Sequence, residues 1–259
     1  MSVLATLTDE SRSTFSLAAV PPPSESFSES LMQLLDRVDC RRVDTGEERQ
    51  AIFRLRYQAY LREGSIDPDS SESFSDRYDD MANTYLFGVY LDGELASSIR
   101  IHVVSKNHPR SPAADAFSDI FLPEIDGGKI VTDTSRFVTD EKFSRLYRGL
   151  PYITVRLPWL AARYFRPEQA FAAVRPEHQA FYRRTFNCQM VCEPRAYPGL
   201  TKQLCLMTTY PATAAEVVQR RYPHFRSSFT ERRLLFERDP SQSTLIETQA
   251  APPPELETA

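Results

Sequence analysis

The segment from Asn83 to Ser105 constrains this chain more than any other. Two runs, NTYLFGVYL and ELASSIRIHVVS, flank the dipeptide Asp92-Gly93. Both are rich in the aromatic and β-branched residues that suit a pleated, half-buried surface. Asp-Gly supplies the two positive-φ positions of a two-residue hairpin turn, whose twist matches that of the flanking strands. The chain must therefore contain an antiparallel sheet, and the other segments have to be arranged around it.

Those segments alternate in type. Val38–Val43 reads as a short opening strand. A helical stretch follows Thr45, with Ile52, Phe53, Tyr57, Tyr60 and Leu61 at helical spacing and Gly64 closing it. Residues 65–82 are acidic, Ser-rich and aperiodic, which predicts a long loop, and a Pro-containing loop is expected from the hairpin to about residue 127. KIVTDTSRFVTD is a strand; simple alternation puts Asp133, Ser135 and Phe137 on one face and Thr134 and Arg136 on the other. Leu150–Phe165 is apolar at helical spacing, with Pro151 at its start and Pro158 predicting a kink or break. EQAFAAVR is a buried strand, PEHQAFYRRTF a helix, CQMVCEPR and KQLCLMTTY two strands, and Thr213–Arg221 a closing helix. This order fits an α/β (α+β) fold: a mixed central sheet with helices on both faces, and one parallel pair joined by a right-handed crossover.

Composition matters mainly at the ends. Residues 1–35 are rich in Ser, Thr and Pro, and 238–259 carry Pro252-Pro253-Pro254 among acids and small residues. Neither stretch has the apolar content to offset chain entropy, so both are expected to be disordered tails around one domain at 36–237. No apolar run approaches the roughly 20 residues of a membrane-spanning helix, and no signal peptide is legible, so a cytoplasmic protein without a transmembrane segment is expected. Cys40, Cys188, Cys192 and Cys205 form no CxxC pair and read as small hydrophobes on strands, with no metal site expected. Net charge is −4, but residues 63–94 hold nine acids and one Arg, while 141–186 hold nine Lys or Arg and three acids. One region should attract amines and another anions. Nucleic acid is not an expected partner at a pI of about 5.7.

Three segments carry a resemblance. FRLRYQAYLREG is similar to the first-helix signature of the acyl-homoserine-lactone synthases and of the long-chain N-acyl amino acid synthases. DTSRFVTD resembles their strand signature, with Asp133 where Glu is usual. VRPEHQAFYRRTFN resembles the strand-to-helix segment of the N-acyl amino acid synthases. Together these span about 45–210, and with the element order they resemble the bacterial GNAT-like acyltransferases. The lactone synthases usually carry tryptophans after the first helix; the one Trp here, Trp159, lies far from that loop. The pyrophosphate loop of ordinary acetyltransferases is not visible between 137 and 150.

The resemblance implies an N-acyltransferase moving a long-chain fatty acyl group from acyl carrier protein, or from acyl-CoA, to the amine of an amino acid or similar small amine, with no bound cofactor. The alternatives are a homoserine-lactone synthase using adenosylmethionine, and a non-catalytic module that binds a carrier protein or lipid. Asp133, Ser135 and Arg136 are the candidate catalytic residues. Asp133 would accept the amine's proton, directly or through water; otherwise it is a structural carboxylate paired with Arg136 or Arg100. Arg56, Arg100 and Arg136 would form a buried ion network with Asp76 or Asp79, ordering an amine side that includes Phe137. Trp159, Phe165, Phe181 and Tyr182 would pack in the core, with some lining an acyl channel. Arg163, Arg166, Arg183 and Arg184 are the candidate docking surface for an acidic carrier protein. His178 reads as a cap or surface residue in preference to a catalyst.

Overall fold

The computed structural model describes residues 24–237 of the chain. Seven strands form one sheet: β1 Val38–Arg42, β2 Thr84–Leu91, β3 Glu94–Val104, β4 Val131–Thr139, β5 Gln169–Val174, β6 Gln189–Arg195 and β7 Leu204–Thr209. Their order is β1-β2-β3-β4-β5-β7-β6, antiparallel throughout except for the parallel pair β4/β5. The hairpin turn has the backbone its sequence demands, with Asp92 at φ +50° and Gly93 at φ +86°, and Leu91 stands opposite Glu94.

The helices are α1 Glu25–Leu35, α2 Gly46–Arg62, α3 Pro112–Ala116, α4 Ser118–Asp126, α5 Glu141–Leu146, α6 Leu150–Thr154, α7 Arg156–Phe165, α8 Gln179–Phe186, α9 Pro211–Arg221 and α10 Phe229–Phe236. Pro158 does break the Leu150–Phe165 run. Lacking an N–H and crowding the carbonyl four residues back, it leaves α6 to end at Thr154 and sits in the first turn of α7.

The sheet is covered on both faces. On one, Ile99, Ile101, Val103, Leu157, Trp159 and Leu160 belong to the main core, which also holds Leu31 and Leu34 of α1. On the other, α2 packs Leu55, Ala59 and Tyr60 with Val138, and α3 and α4 pack Ala113, Phe117, Phe121 and Ile125 around Val131 and Phe171. None of the helices among the described residues is long and apolar enough to cross a membrane.

Four expectations need correction. The Pro-containing loop before residue 127 holds α3 and α4: Ser111 caps α3 by accepting from the Ala114 N–H at 3.1 Å, with Pro112 at the first helical position. Residues 25–35, expected within a disordered tail, are α1, because Ser24 caps it and Leu31 and Leu34 bury to 1% and 6% exposure. The remainder of that expectation, and the tail expected at 238–259, lie outside the described residues. Helix α10 went unanticipated; its Phe236 ring centroid lies 5.4 Å from that of Phe87.

The fourth correction concerns β4. Two residues, Arg136 and Phe137, oppose the single Ile99 of β3, and Arg136 has φ +54°. This bulge breaks strict alternation. Arg136 therefore joins Asp133 and Ser135 on the α2 face, while Phe137 packs against the main core on the α7 face.

Candidate functional site

Strands β4 and β5 are paired only from Val131↔Gln169 to Thr134↔Ala172. Beyond Thr134 the β5-side edge of β4 is released, and a cavity of about 330 Å³ opens between the strands. It is lined by Ser135, Arg136 and Phe137 of β4, and by Ala173, Val174, Arg175 and His178 at the end of β5. The cavity passes through the sheet. Tyr60 of α2 and Glu63 at its C-cap, with Tyr197 and Leu200, close it on one face, whereas Pro151, Phe181 and Tyr182 close it on the other. Behind Tyr182 lies a second, apolar space of about 40 Å³ among Thr134, Pro158, Trp159, Ala162, Phe186 and Cys188.

The α2 face of the site is held by buried charge. Arg56 donates to Asp79 at 2.9 Å and Arg100 meets Asp79 at 2.8 Å. Arg100 also donates to Asp76 at 2.6 Å, and Arg136 donates to the same carboxylate through Nη2 at 2.7 Å and Nε at 3.1 Å. The two aspartates are placed by one local device: they cap the short 3₁₀ turn Arg77–Asp80 reciprocally, Asp76 accepting from the Tyr78 N–H and Asp79 from the Asp76 N–H. Burial alone would raise the Asp76 carboxyl, but Arg100 and Arg136 hold it well below the usual carboxylate range. Burial pulls Arg56 down to about 10 against the attraction of Asp79. Arg136 is pulled down by burial and pushed further up by Tyr60 and Asp76, so it stays charged.

Asp133 is fully buried. One carboxylate oxygen accepts from the Ala113 N–H at 3.0 Å; the other, Oδ1, has no hydrogen-bond partner among the described residues. Burial pushes its pKa up, against the hydrogen bonds from Ser111 and Ala113. It shares a face with Ser135 but does not line the cavity. Ser135 accepts a hydrogen bond from Arg100 Nε at 3.2 Å.

The structure thus brings Arg56, Asp76, Asp79, Arg100, Ser135 and Arg136 into one cluster. Phe137, Phe181 and Tyr182 stand at the cavity, and Trp159 and Tyr182 at the apolar space behind it. Phe165 lines neither; its ring lies against Tyr85 and Phe236 at 5.1 and 5.5 Å. Arg163 on α7 and Arg183 on α8 are half-buried, and Arg166 at the C-cap of α7 and Arg184 on α8 are exposed; both helices flank the apolar space. His178, read from the sequence as a cap or surface residue, is exposed and holds the N-cap position of α8, and it also lines the cavity. Its Nε2 lies 2.7 Å from Arg175 Nη2, and since a guanidinium can only donate, Nε2 is the accepting nitrogen. Burial and Arg175 lower its pKa, which keeps the ring neutral. Its position directly after β5 was the signal available for it; Tyr197, in the irregular segment between β6 and β7, offered none.

Comparison with known proteins gives a consistent result. The profile of the family described as N-acyl amino acid synthase FeeM matches residues 51–210. No curated protein sequence matches. Among solved structures the chain is similar to FeeM, an N-acyl amino acid synthase from uncultured soil microbes, at 16% identity and TM-score 0.57, covering 71% of this chain and 98% of that one. It is also similar to TofI, solved with an inhibitor and MTA, at 12% identity and TM-score 0.54 over 73% of this chain and all of that one. BjaI, a CoA-dependent acyl-homoserine lactone synthase solved with MTA, matches at 13% identity and TM-score 0.51 over 72% and 89%. At such identities the structural likeness is one of fold.

Proposed function

The chain belongs to the N-acyl amino acid synthase family and is an acyltransferase, and from that premise we propose that it transfers a long-chain fatty acyl group from a carrier-protein thioester to the amine of an amino acid. The observation that carries this reading is the cavity that passes through the sheet where β4 and β5 part. A two-substrate transfer needs its reactants to meet from opposite sides at one carbon, and a gap in a sheet provides that arrangement.

In this reading the donor enters on the α7 face. Its acyl chain runs past Phe181 and Tyr182 toward Trp159, and Arg163, Arg166, Arg183 and Arg184 meet an acidic carrier protein. The amine approaches on the α2 face, over the network of Arg56, Asp76, Asp79, Arg100 and Arg136. The amine nitrogen attacks the thioester carbon, and the carbonyl oxygen becomes an oxyanion. A backbone N–H on the released edge of Ser135–Thr139 donates to that oxyanion. The attack forms the C–N bond, and collapse of the oxyanion re-forms the carbonyl and breaks the C–S bond; the nitrogen loses a proton and the thiolate gains one.

Asp133 is the proposed proton acceptor, through a water, because its Oδ1 remains uncommitted and burial raises its basicity. His178 lines the cavity and, with Nε2 accepting from Arg175, has its other ring N–H as a donor; in this reading it serves the leaving sulfur in preference to the amine. A cytoplasmic bacterial setting and a carrier-protein donor fit the family resemblance; acyl-CoA is the competing donor.

The test is to incubate the protein with long-chain acyl carrier protein or acyl-CoA, a mixture of amino acids, and adenosylmethionine, then identify products by mass. The expected product is an N-acyl amino acid formed without adenosylmethionine. A homoserine lactone that requires adenosylmethionine, or no acyl product from either donor, would refute the reading.

A further inference from the structure

We propose that the α2-side half of the cavity is a carboxylate site, in which Arg136 Nη1 and the Tyr197 hydroxyl together hold the α-carboxylate of the acceptor. The assignment rests on the acyl-transfer reading above and adds the group by which the acceptor is recognised.

Two buried donors carry it. Arg136 and Tyr197 are each 4% exposed, and both line the cavity. Arg136 spends Nε and Nη2 on Asp76, and Nη2 also on the Pro198 carbonyl at 2.8 Å; Nη1 has no partner among the described residues. The Tyr197 hydroxyl is equally without one, and the guanidinium lies 5.9 Å from the Tyr197 ring centroid. Buried donors are rarely left unsatisfied in a stable fold, and two beside one cavity mark a place for an acceptor.

Charge says which acceptor. Arg56, Arg100 and Arg136 form ion pairs with only Asp76 and Asp79. Three guanidiniums against two carboxylates leave one positive charge among these ion pairs; Asp133 forms no ion pair with any of the three, and its bonded oxygen faces the Ala113 N–H. A buried site with an unmatched cation favours a ligand anion. A carboxylate can accept from a guanidinium edge and a phenol at once. An anion could also come from the phosphate of a donor's pantetheine arm, but the docking arginines lie on the α7 and α8 side, away from this half.

The experiment compares the kcat/KM of an amino acid with that of its amide, in wild type and in Tyr197→Phe, which removes one hydroxyl and keeps the ring. Wild type should prefer the acid by tenfold or more, and Tyr197→Phe should cut that preference about tenfold. Equal kcat/KM for acid and amide in wild type would overturn the site. A raised KM for the donor with the acid-to-amide ratio unchanged would assign the anion to the donor phosphate, and overturn it as well. If no amine is acylated, the acyl-transfer reading fails separately. Calorimetric titration of L-phenylalanine and L-leucine against their amides then decides: binding of the acids alone, weakened in Tyr197→Phe, supports the carboxylate site, and any other pattern overturns it.

Discussion

Arg136 and Asp76 are sixty positions apart in sequence and meet through two hydrogen bonds of 2.7 and 3.1 Å. The contact joins the β4 bulge to the turn that follows α2, so the wall of the cavity and the segment over it are one unit. It depends on the backbone: without φ +54° at Arg136 the side chain would face the other side of the sheet. An L-residue in that region is strained, and such strain persists where surrounding contacts over-determine it.

Asp76→Asn should therefore be costly. It leaves Arg136 without its carboxylate and Arg100 to share Asp79 with Arg56, and breaking a buried ion pair costs about 3–5 kcal/mol. The exposed Lys142–Glu94 pair is the control, since solvent screens it and its removal should shift the midpoint little. Urea unfolding midpoints measure both. Equal shifts in the two variants would mean the buried network contributes no more than surface charge.

A second prediction follows from His102, fully buried on β3 with Nε2 against the Tyr78 carbonyl at 3.1 Å. Burial, with Arg100 nearby, depresses its pKa from 6.5 to about 3, and burial lowers His224 to about 4. Below pH 6.5 the unfolded chain binds protons that the folded protein does not, so stability falls as pH falls. Each imidazole contributes up to about 1.4 kcal/mol per pH unit. For His102 the loss runs from pH 6.5 down to about 3. His102→Gln should flatten the slope between pH 6.5 and 5 by up to that amount; a slope unchanged in the variant would show that His102 takes up its proton in the folded state.

How much of this was legible from the sequence differs by element. The hairpin was, because Asp92-Gly93 fixes both turn and register. The parallel pair was, because a helical connection of that length between β4 and β5 permits little else. Helices α1 and α10 were missed: each buries only a few apolar residues, such as Leu31 and Phe236, inside segments whose composition is otherwise polar. The network residues could be named from their resemblance to a family pattern. The face of Arg136 could not be read, because a bulge with a non-glycine residue at positive φ leaves no local signature in SRFV. Nor was the place of Tyr197 legible, since the chain reaches it through irregular backbone.

Asp133→Asn separates a base from a brace. Asparagine keeps the shape and an oxygen for the Ala113 N–H but removes the acceptor for the amine's proton. Loss of a general base lowers the single-turnover rate about 10²–10⁴-fold, with donor affinity unchanged. Should Asp133 serve only to hold α3 against β4, the same change would lower the melting temperature, donor binding and turnover together. A folded, donor-binding variant with an unaltered rate across pH would end the base assignment.

The central claim is that acyl transfer takes place in the gap between β4 and β5, and Ala173 tests it most directly. Its methyl lines the cavity from β5, opposite Ser135 and Arg136, and takes no part in the ion network. Ala173→Phe should narrow the passage where donor and acceptor meet, and displacement of about 1 Å at a reacting centre already costs on the order of 100-fold. The measurement is the single-turnover rate of amide formation at saturating donor and acceptor, with the melting temperature recorded beside it. The account predicts a rate at least about 100-fold lower in a protein that melts near wild type. An Ala173→Phe protein that forms the amide at the wild-type rate would place the chemistry elsewhere.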